Sequence, residues 1–161
     1  MERTNRQVAE RLNLMAQLLE IQEGNTFKIR AFYRAADIVG RLGTHVDAMD
    51  EEYLSSLAGI GKNIARKIRE IVEKGTFQEL EEIKLGIPDS LIELLNLDGV
   101  GPRTVSTLWK KLSVESIDDL EREARGHRIR ALRGFGEKKE ESFLSNRSIS
   151  WSIRPDDSAR S

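Results

Sequence analysis

Glycine, an apolar residue and a second glycine recur three times in this chain, each time behind a leucine and one further residue. The copies are Leu57-Ala58-Gly59-Ile60-Gly61, Leu97-Asp98-Gly99-Val100-Gly101 and Leu132-Arg133-Gly134-Phe135-Gly136. They lie roughly 35–40 residues apart, a spacing that marks an internal repeat. Paired glycines let a very short hairpin take positive φ without a side-chain clash. The residue between them, Ile60, Val100 or Phe135, plugs the angle between two helices. Backbone without Cβ atoms approaches a ligand closely. A helix that begins at once behind the hairpin aims its unpaired N–H groups and the positive end of its dipole at the same point. Such a corner holds anions, and a nucleic-acid phosphate fits it. Phosphate carries no base identity, so this chemistry is indifferent to sequence. The alternative reading is a tight turn that does no more than pack helices together.

The residues behind each copy differ. The first is followed by Lys62, Asn63, Arg66, Lys67 and Arg69, with no acid between Leu57 and Arg69. The second is followed by Pro102, Arg103 and Thr104, with Lys110 and Lys111 further on. The third runs into Glu137-Lys138-Lys139-Glu140-Glu141, which is close to neutral. The expected phosphate contacts are therefore Gly59, Ile60, Gly61, Lys62, Asn63 and Arg66 at the first corner, and Gly99, Val100, Gly101, Arg103 and Thr104 at the second. Gly134 and Gly136 of the third are expected to be mostly architectural, paired with the second as a pseudo-symmetric unit.

Almost every segment that must position these corners reads as helix. Val8, Leu12, Met15 and Leu19, widened by Leu18, recur at helical spacing and predict an amphipathic helix near residues 4–22. Gly24-Asn25 ends it, and Thr26 is the expected N-cap of a second helix near 27–41. Asp50 opens a short helix ending at Leu57, while Thr76-x-x-Glu79 and Ser116-x-x-Asp119 read as capping boxes. Pro88 and Pro102 stand where helices begin, at positions that tolerate a missing N–H. No stretch of strict alternation is long enough for a sheet. The expectation is an all-α chain with its best internal boundary around Leu85-Gly86-Ile87-Pro88, giving segments 1–84 and 85–144. Residues 145–161, rich in Ser, Arg and Asp, read as a flexible tail.

Composition narrows the chemistry. The 161 residues are 39% hydrophobic and 33% charged, enough for a real core without disulfides or structural metal. With no cysteine, thiol chemistry and cysteine-built zinc sites are excluded. His45 and His127 lie far apart, without a metal-ligand pattern. The net charge of −1 argues mildly against a bulk electrostatic binder, but charge is sorted along the chain. The basic run behind the first hairpin is followed by acidic stretches at 73–93 and 115–123. Aromatics total only 6%, too few for a stacking platform, and Trp109 is expected in the core. No apolar run reaches bilayer length, and the start leads directly into an amphipathic helix. No membrane partner is expected; the cytoplasm is, or the nucleus if the source has one.

Taken together, the stretch from Asn25 to Ala36 (Asn-Thr-Phe-Lys-Ile-Arg-Ala-Phe-Tyr-Arg-Ala-Ala), the stretch Leu57–Ile68 and the stretch Gly75–Ile83 resemble the amino-terminal part of the family X DNA polymerases, the group containing DNA polymerase beta. Bacterial and archaeal members look nearest. The resemblance runs from about Asn5 to Leu144, with the second and third hairpins in family order. It implies a four-helix lyase-type domain with a helix-hairpin-helix, followed by a tandem helix-hairpin-helix domain. It also implies sequence-independent binding to gapped, nicked or primer-template DNA in base excision repair. The first hairpin would grip the strand downstream of a gap and the second the primer side. No cofactor is required, but a potassium or sodium ion would sit on the backbone carbonyls of Leu57 and Ile60, and of Leu95, Leu97 and Val100. The residues after Leu144 lack the nucleotidyltransferase motif and spaced aspartates of a polymerase palm. This chain alone is expected not to polymerise DNA, as either a fragment or a short relative.

By the same resemblance Lys67 matches the Schiff-base lysine of a 5′-deoxyribose-phosphate lyase, and Lys28 a lysine of the 5′-phosphate pocket. Lys67 falls at the rim of the helix's apolar stripe, about 100° from its centre. Its amine must be neutral to attack, which neighbouring cations or partial burial favour, and Arg66 and Arg69 are close in sequence. Departures from the family pattern count the other way: Asn63 replaces a second pocket lysine, Phe32 a pocket tyrosine (with Tyr33 adjacent), and Glu79 stands where polymerase beta carries a basic residue. Three readings therefore stand: a DNA-binding module, a lyase, and a helical protein-interaction scaffold. For Lys67 the plain alternative is a solvated lysine on a DNA-facing helix.

Overall fold

The computed structural model describes residues 4–145. They are helical, with no strand among them, and divide into two compact units between Ile87 and Pro88.

The first unit is built on α1 (Asn5–Ile21) and α2 (Thr26–Arg41), an antiparallel pair. The Thr4 side chain accepts from the Gln7 amide and the Gln7 side chain accepts from the Thr4 amide, a full capping box for α1. Val8, Leu12, Met15, Leu18 and Ile21 are buried on its inner face. The cap of α2 is Asn25, not Thr26: Asn25 Oδ1 takes the Lys28 amide at 3.0 Å, so the helix starts one residue earlier than its sequence suggests. A 3₁₀ turn (Val46–Ala48) leads to α3 (Glu51–Ser56), which Asp50 caps through the Tyr53 amide. Then come α4 (Lys62–Lys74) and α5 (Gln78–Lys84). Helices α1–α4 supply the expected four, and α5 is a short fifth. Ile64, Ala65, Ile68 and Ile71 bury one face of α4.

Thr76 does not cap α5. Its hydroxyl donates to Glu81 at 2.6 Å, and Phe77 occupies the cap position with no side-chain bond. Glu70 on α4 reaches across instead and accepts the Gln78 amide at 2.8 Å. A carboxylate from another helix thus does the work of the capping box, and Glu79 is left free for other partners.

In the second unit α6 (Asp89–Ile92) and a 3₁₀ turn (Glu93–Asn96) precede α7 (Pro102–Leu112), α8 (Ile117–Arg125) and α9 (Glu137–Leu144). Pro88 stands at the N-cap position of α6 without a capping bond, and Pro102 is the first residue of α7. Ser116 caps α8 through the Asp119 amide, while Asp119 accepts from the Glu115 amide. That amide contact is the main reason the Asp119 carboxyl lies below its ordinary range. Leu91, Leu94, Val105, Leu108, Leu120, Ile129 and Phe143 form the core. Trp109 is half-buried, and its indole N–H donates to Glu115 at 3.3 Å. Of the expected tail only Ser145 falls within the described residues; Trp151 lies outside them.

Candidate nucleic-acid interface

All three Gly-apolar-Gly corners have one hydrogen-bond plan. The amides of Ile60, Val100 and Phe135 donate back to the carbonyls of Leu57, Leu97 and Leu132, closing a four-residue turn at 3.0, 3.2 and 3.1 Å. The second glycine then starts the helix: the carbonyls of Gly61, Gly101 and Gly136 accept from Ala65, Val105 and Glu140. The turn needs φ above zero at its third residue, which Gly59 (φ 92°), Gly99 (φ 76°) and Gly134 (φ 84°) supply. Ile60 and Val100 are buried as expected, at 3% and 6% exposure. Phe135 is only half-buried; its ring meets the edge of Phe143 and lies under the Lys139 ammonium.

In the first two corners the two glycines have different reasons to be glycine, contrary to the expectation that both supply positive φ, whereas in the third both do, Gly134 at 84° and Gly136 at 151°. A Cβ on Gly59 would come within 2.5 Å of Ile38 and 3.0 Å of Arg34, and its φ is left-handed. Gly61 and Gly101 have φ of −87° and −104°, ordinary for any residue, and nothing lies within 4 Å of where a Cβ would stand. The fold needs glycine at Gly59 and does not need it at Gly61 or Gly101.

No side chain caps α4, α7 or α9. Among the described residues the amides of Gly61, Lys62 and Asn63, and those of Gly101, Arg103 and Thr104, have no acceptor. Pro102 removes one N–H from the second set. Gly61, Lys62, Asn63 and Arg103 are exposed, and Gly101 and Thr104 are half-exposed. Lys62 and Arg103 form no ion pair among the described residues. These corners are open donors at helix starts, the arrangement that takes an anion.

A cleft of about 1040 Å³ gathers the first corner with the side chains expected to serve it. Gly59, Gly61, Lys62, Asn63, Arg66 and Lys67 line it together with Lys28. Its floor includes Phe32 stacked on Phe77, ring centres 6.0 Å apart. Folding also brings in acids that the basic run from Leu57 to Arg69 hid: Glu70, Glu79 and Glu82. Four cations (Lys28, Lys62, Arg66, Lys67) thus face three carboxylates.

Two family models match the chain: a helix-hairpin-helix domain over residues 3–77 and a SAM-like helix-hairpin-helix tandem over residues 91–143. The chain is 32% identical over 133 residues to the DNA polymerase/3′-5′ exonuclease PolX of Bacillus subtilis (strain 168), covering 83% of this chain. It is 26% identical over 141 residues to DNA polymerase lambda of Rattus norvegicus, covering 87% of this chain. Over 117 residues, 72% of this chain, it is 26% identical to the DNA-directed DNA/RNA polymerase mu of Homo sapiens. The chain is homologous to the amino-terminal region of the family X DNA polymerases. It spans 23% of the length of each of these relatives.

Against the family pattern, the surroundings of Lys67 differ from what its helix neighbours suggest. Arg69 does not stand beside it: Nη1 donates to the carbonyls of Asp47 and Met49 at 3.1 and 2.9 Å, tying the 3₁₀ turn to α4. Arg66 reaches toward Glu51 at 3.5 Å on the surface. The charged neighbour of Lys67 is an anion, Glu79, with Oε1 3.6 Å from Nζ. Lys28 bonds the other oxygen of the same carboxylate. Tyr33 does not replace the missing pocket hydroxyl: Phe32 lines the cleft and Tyr33 pairs with Glu20 of α1. Burial first, and that carboxylate second, push the Tyr33 phenol up to about 12.

At the remaining expected sites, the Leu57 and Leu97 carbonyls each accept one amide, which leaves each a lone pair for a cation. Among the described residues no group of three or more His, Asp or Glu is placed to hold a metal. No helix among them is long and apolar enough to cross a membrane.

Proposed function

We propose that this chain binds DNA without regard to base sequence, holding backbone phosphates at gaps or nicks through its helix-hairpin-helix corners, and that it serves base excision repair. The observation that carries this reading is the second glycine of the first two corners. Gly61 and Gly101 leave empty space beside unpaired amides where the fold asks for neither. A phosphodiester oxygen supplies the missing acceptor, and the absent Cβ lets it approach. Lys28, Lys62, Asn63 and Arg66 surround the first corner, and Arg103 and Thr104 begin the helix of the second. By family likeness the first corner takes the strand downstream of a gap and the second the primer side. The same likeness puts a potassium or sodium ion on the carbonyls of Leu57 and Ile60, and of Leu95, Leu97 and Val100.

Fluorescence anisotropy with gapped, nicked, primer-template and intact duplexes at rising salt tests this. Affinity should be the same for unrelated base sequences and highest for the gapped duplex. Its logarithm should fall linearly with that of salt, by about 0.9 for each phosphate neutralised. Absence of binding even at low salt removes the reading and leaves a helical scaffold.

A second reading, 5′-deoxyribose-phosphate lyase, is favoured by one observation. Lys67, with its side chain 25% exposed, lines the cleft that holds the first corner. Its amine would add to the sugar aldehyde with loss of water, and β-elimination would release the strand. Borohydride trapping should give a covalent adduct with the native chain and none with Lys67→Ala. No adduct with either removes the lyase.

A further inference from the structure

Lys28 on α2 and Lys67 on α4 turn to one carboxylate, Glu79 on α5, inside the first unit's cleft. Oε2 takes a hydrogen bond from Lys28. Oε1 is closed off from solvent without any hydrogen-bond donor, its charge answered only by Lys67 Nζ at 3.6 Å. A buried oxygen left without a donor forfeits the hydration it had in water. Glu79 therefore fills this seat imperfectly. Two ammoniums from two helices, lining one cleft with the open hairpin amides, suit an anion with more charge and more oxygens than a carboxylate. A phosphate monoester carries about −1.5 to −2 charges near neutral pH and three strong acceptor oxygens.

We propose that Glu79 is a built-in competitor for the terminal phosphate of a DNA strand: its carboxylate occupies the seat formed by Lys28 and Lys67, so that the protein holds a gap by its internal phosphates and reads the phosphorylated end poorly. The inference rests on the DNA-binding reading above and deepens it. Glu79 is a specificity-determining residue here, and the lysines it occupies are two of the four cations in the cleft. With its Oε2 bonded to Lys28 and its Oε1 facing Lys67, the carboxylate sets its own negative charge against that of a terminal phosphate approaching the same two ammoniums.

The test compares gapped duplexes whose downstream strand ends in a 5′-phosphate or a 5′-hydroxyl, by anisotropy, with folding checked by circular dichroism. The native chain should bind the two within about twofold. Glu79→Gln, which keeps the shape and removes the charge, should prefer the phosphorylated end by about tenfold, the factor of one charge-assisted hydrogen bond. Adding Lys28→Gln to Glu79→Gln should abolish that preference. As a check that leaves Glu79 in place, Lys28→Gln alone should change both affinities by the same factor. An unchanged preference in Glu79→Gln overturns the proposal, as does an equal gain for both ends, which is a net-charge effect. So does a loss confined to phosphorylated ends in Lys28→Gln alone, because Lys28 would then already read the end. If neither the native chain nor the folded variants bind any gapped duplex, the DNA-binding reading fails, and the proposal goes with it.

Discussion

Gly59 and Gly61 are two residues apart and do different work. Valine at Gly59 meets a left-handed φ and the side chains of Ile38 and Arg34, so it should destabilise the first unit by roughly 2–4 kcal/mol. Valine at Gly61 or Gly101 meets ordinary φ and open space and should cost no more than about 1 kcal/mol, the loss of a good N-cap residue. Thermal denaturation of the three variants checks this, and a large loss of stability at Gly61 would return that glycine to a purely structural role. Glu140 poses a different question, because at 1% exposure it is the most deeply buried charge among the described residues. Burial by itself would raise its carboxyl. Hydrogen bonds from His127, from the Arg130 amide and from the Arg130 guanidinium outweigh burial and bring it to about 2. Its folded value thus lies below the ordinary 4.5, so the stability it contributes is complete above that pH and is lost as pH falls toward 2. Glu140→Gln should therefore cost on the order of 3 kcal/mol at pH 7. That gap to the native chain should shrink in melts taken between pH 5 and 3, and a constant gap would mean that the charge is not what matters.

At the scale of elements, the clamp through Glu140 explains how the third corner stands without a preceding helix. Residues 126–132 enter it as turns, and the buried carboxylate fastens His127 and Arg130 to α9. The start of α5 rests on a similar long reach. Glu70→Ala should cost about 1 kcal/mol, the usual worth of a helix cap, whereas Thr76→Val should be nearly neutral. Paired denaturant titrations measure both, and the reverse order would restore the capping box. These contrasts also mark what was legible in the sequence. The corners could be read because turn, plug and helix start are all specified within five neighbouring residues. Helices α1 and α4 could be read because their apolar spacing is local. Glu70 acting as a cap could not, since its partner amide lies eight residues away on another helix. Glu79 facing Lys28 could not either: they are 51 residues apart, and a capping pattern offered a nearer role for that acid. Arg69, which looked like a neighbour of Lys67, is drawn off by carbonyls 22 and 20 residues upstream that no local pattern marks.

For the whole molecule, a net charge of −1 and a first cleft with four cations against three carboxylates cannot attract DNA by bulk electrostatics. On the proposed function, affinity comes from a few phosphates held by backbone donors, which also makes it blind to sequence. Homology to the family X DNA polymerases accounts for two hairpin-bearing units in one chain. Phosphate binding at these corners depends most on the empty space and open amides at Gly61 and Gly101. The most direct measurement is the affinity of the folded Gly61→Val/Gly101→Val double variant for a gapped duplex at one fixed salt concentration, beside that of the native chain. Two blocked corners should weaken binding by about a hundredfold, one charge-assisted hydrogen bond being lost at each. Native affinity in the folded variant would contradict the account.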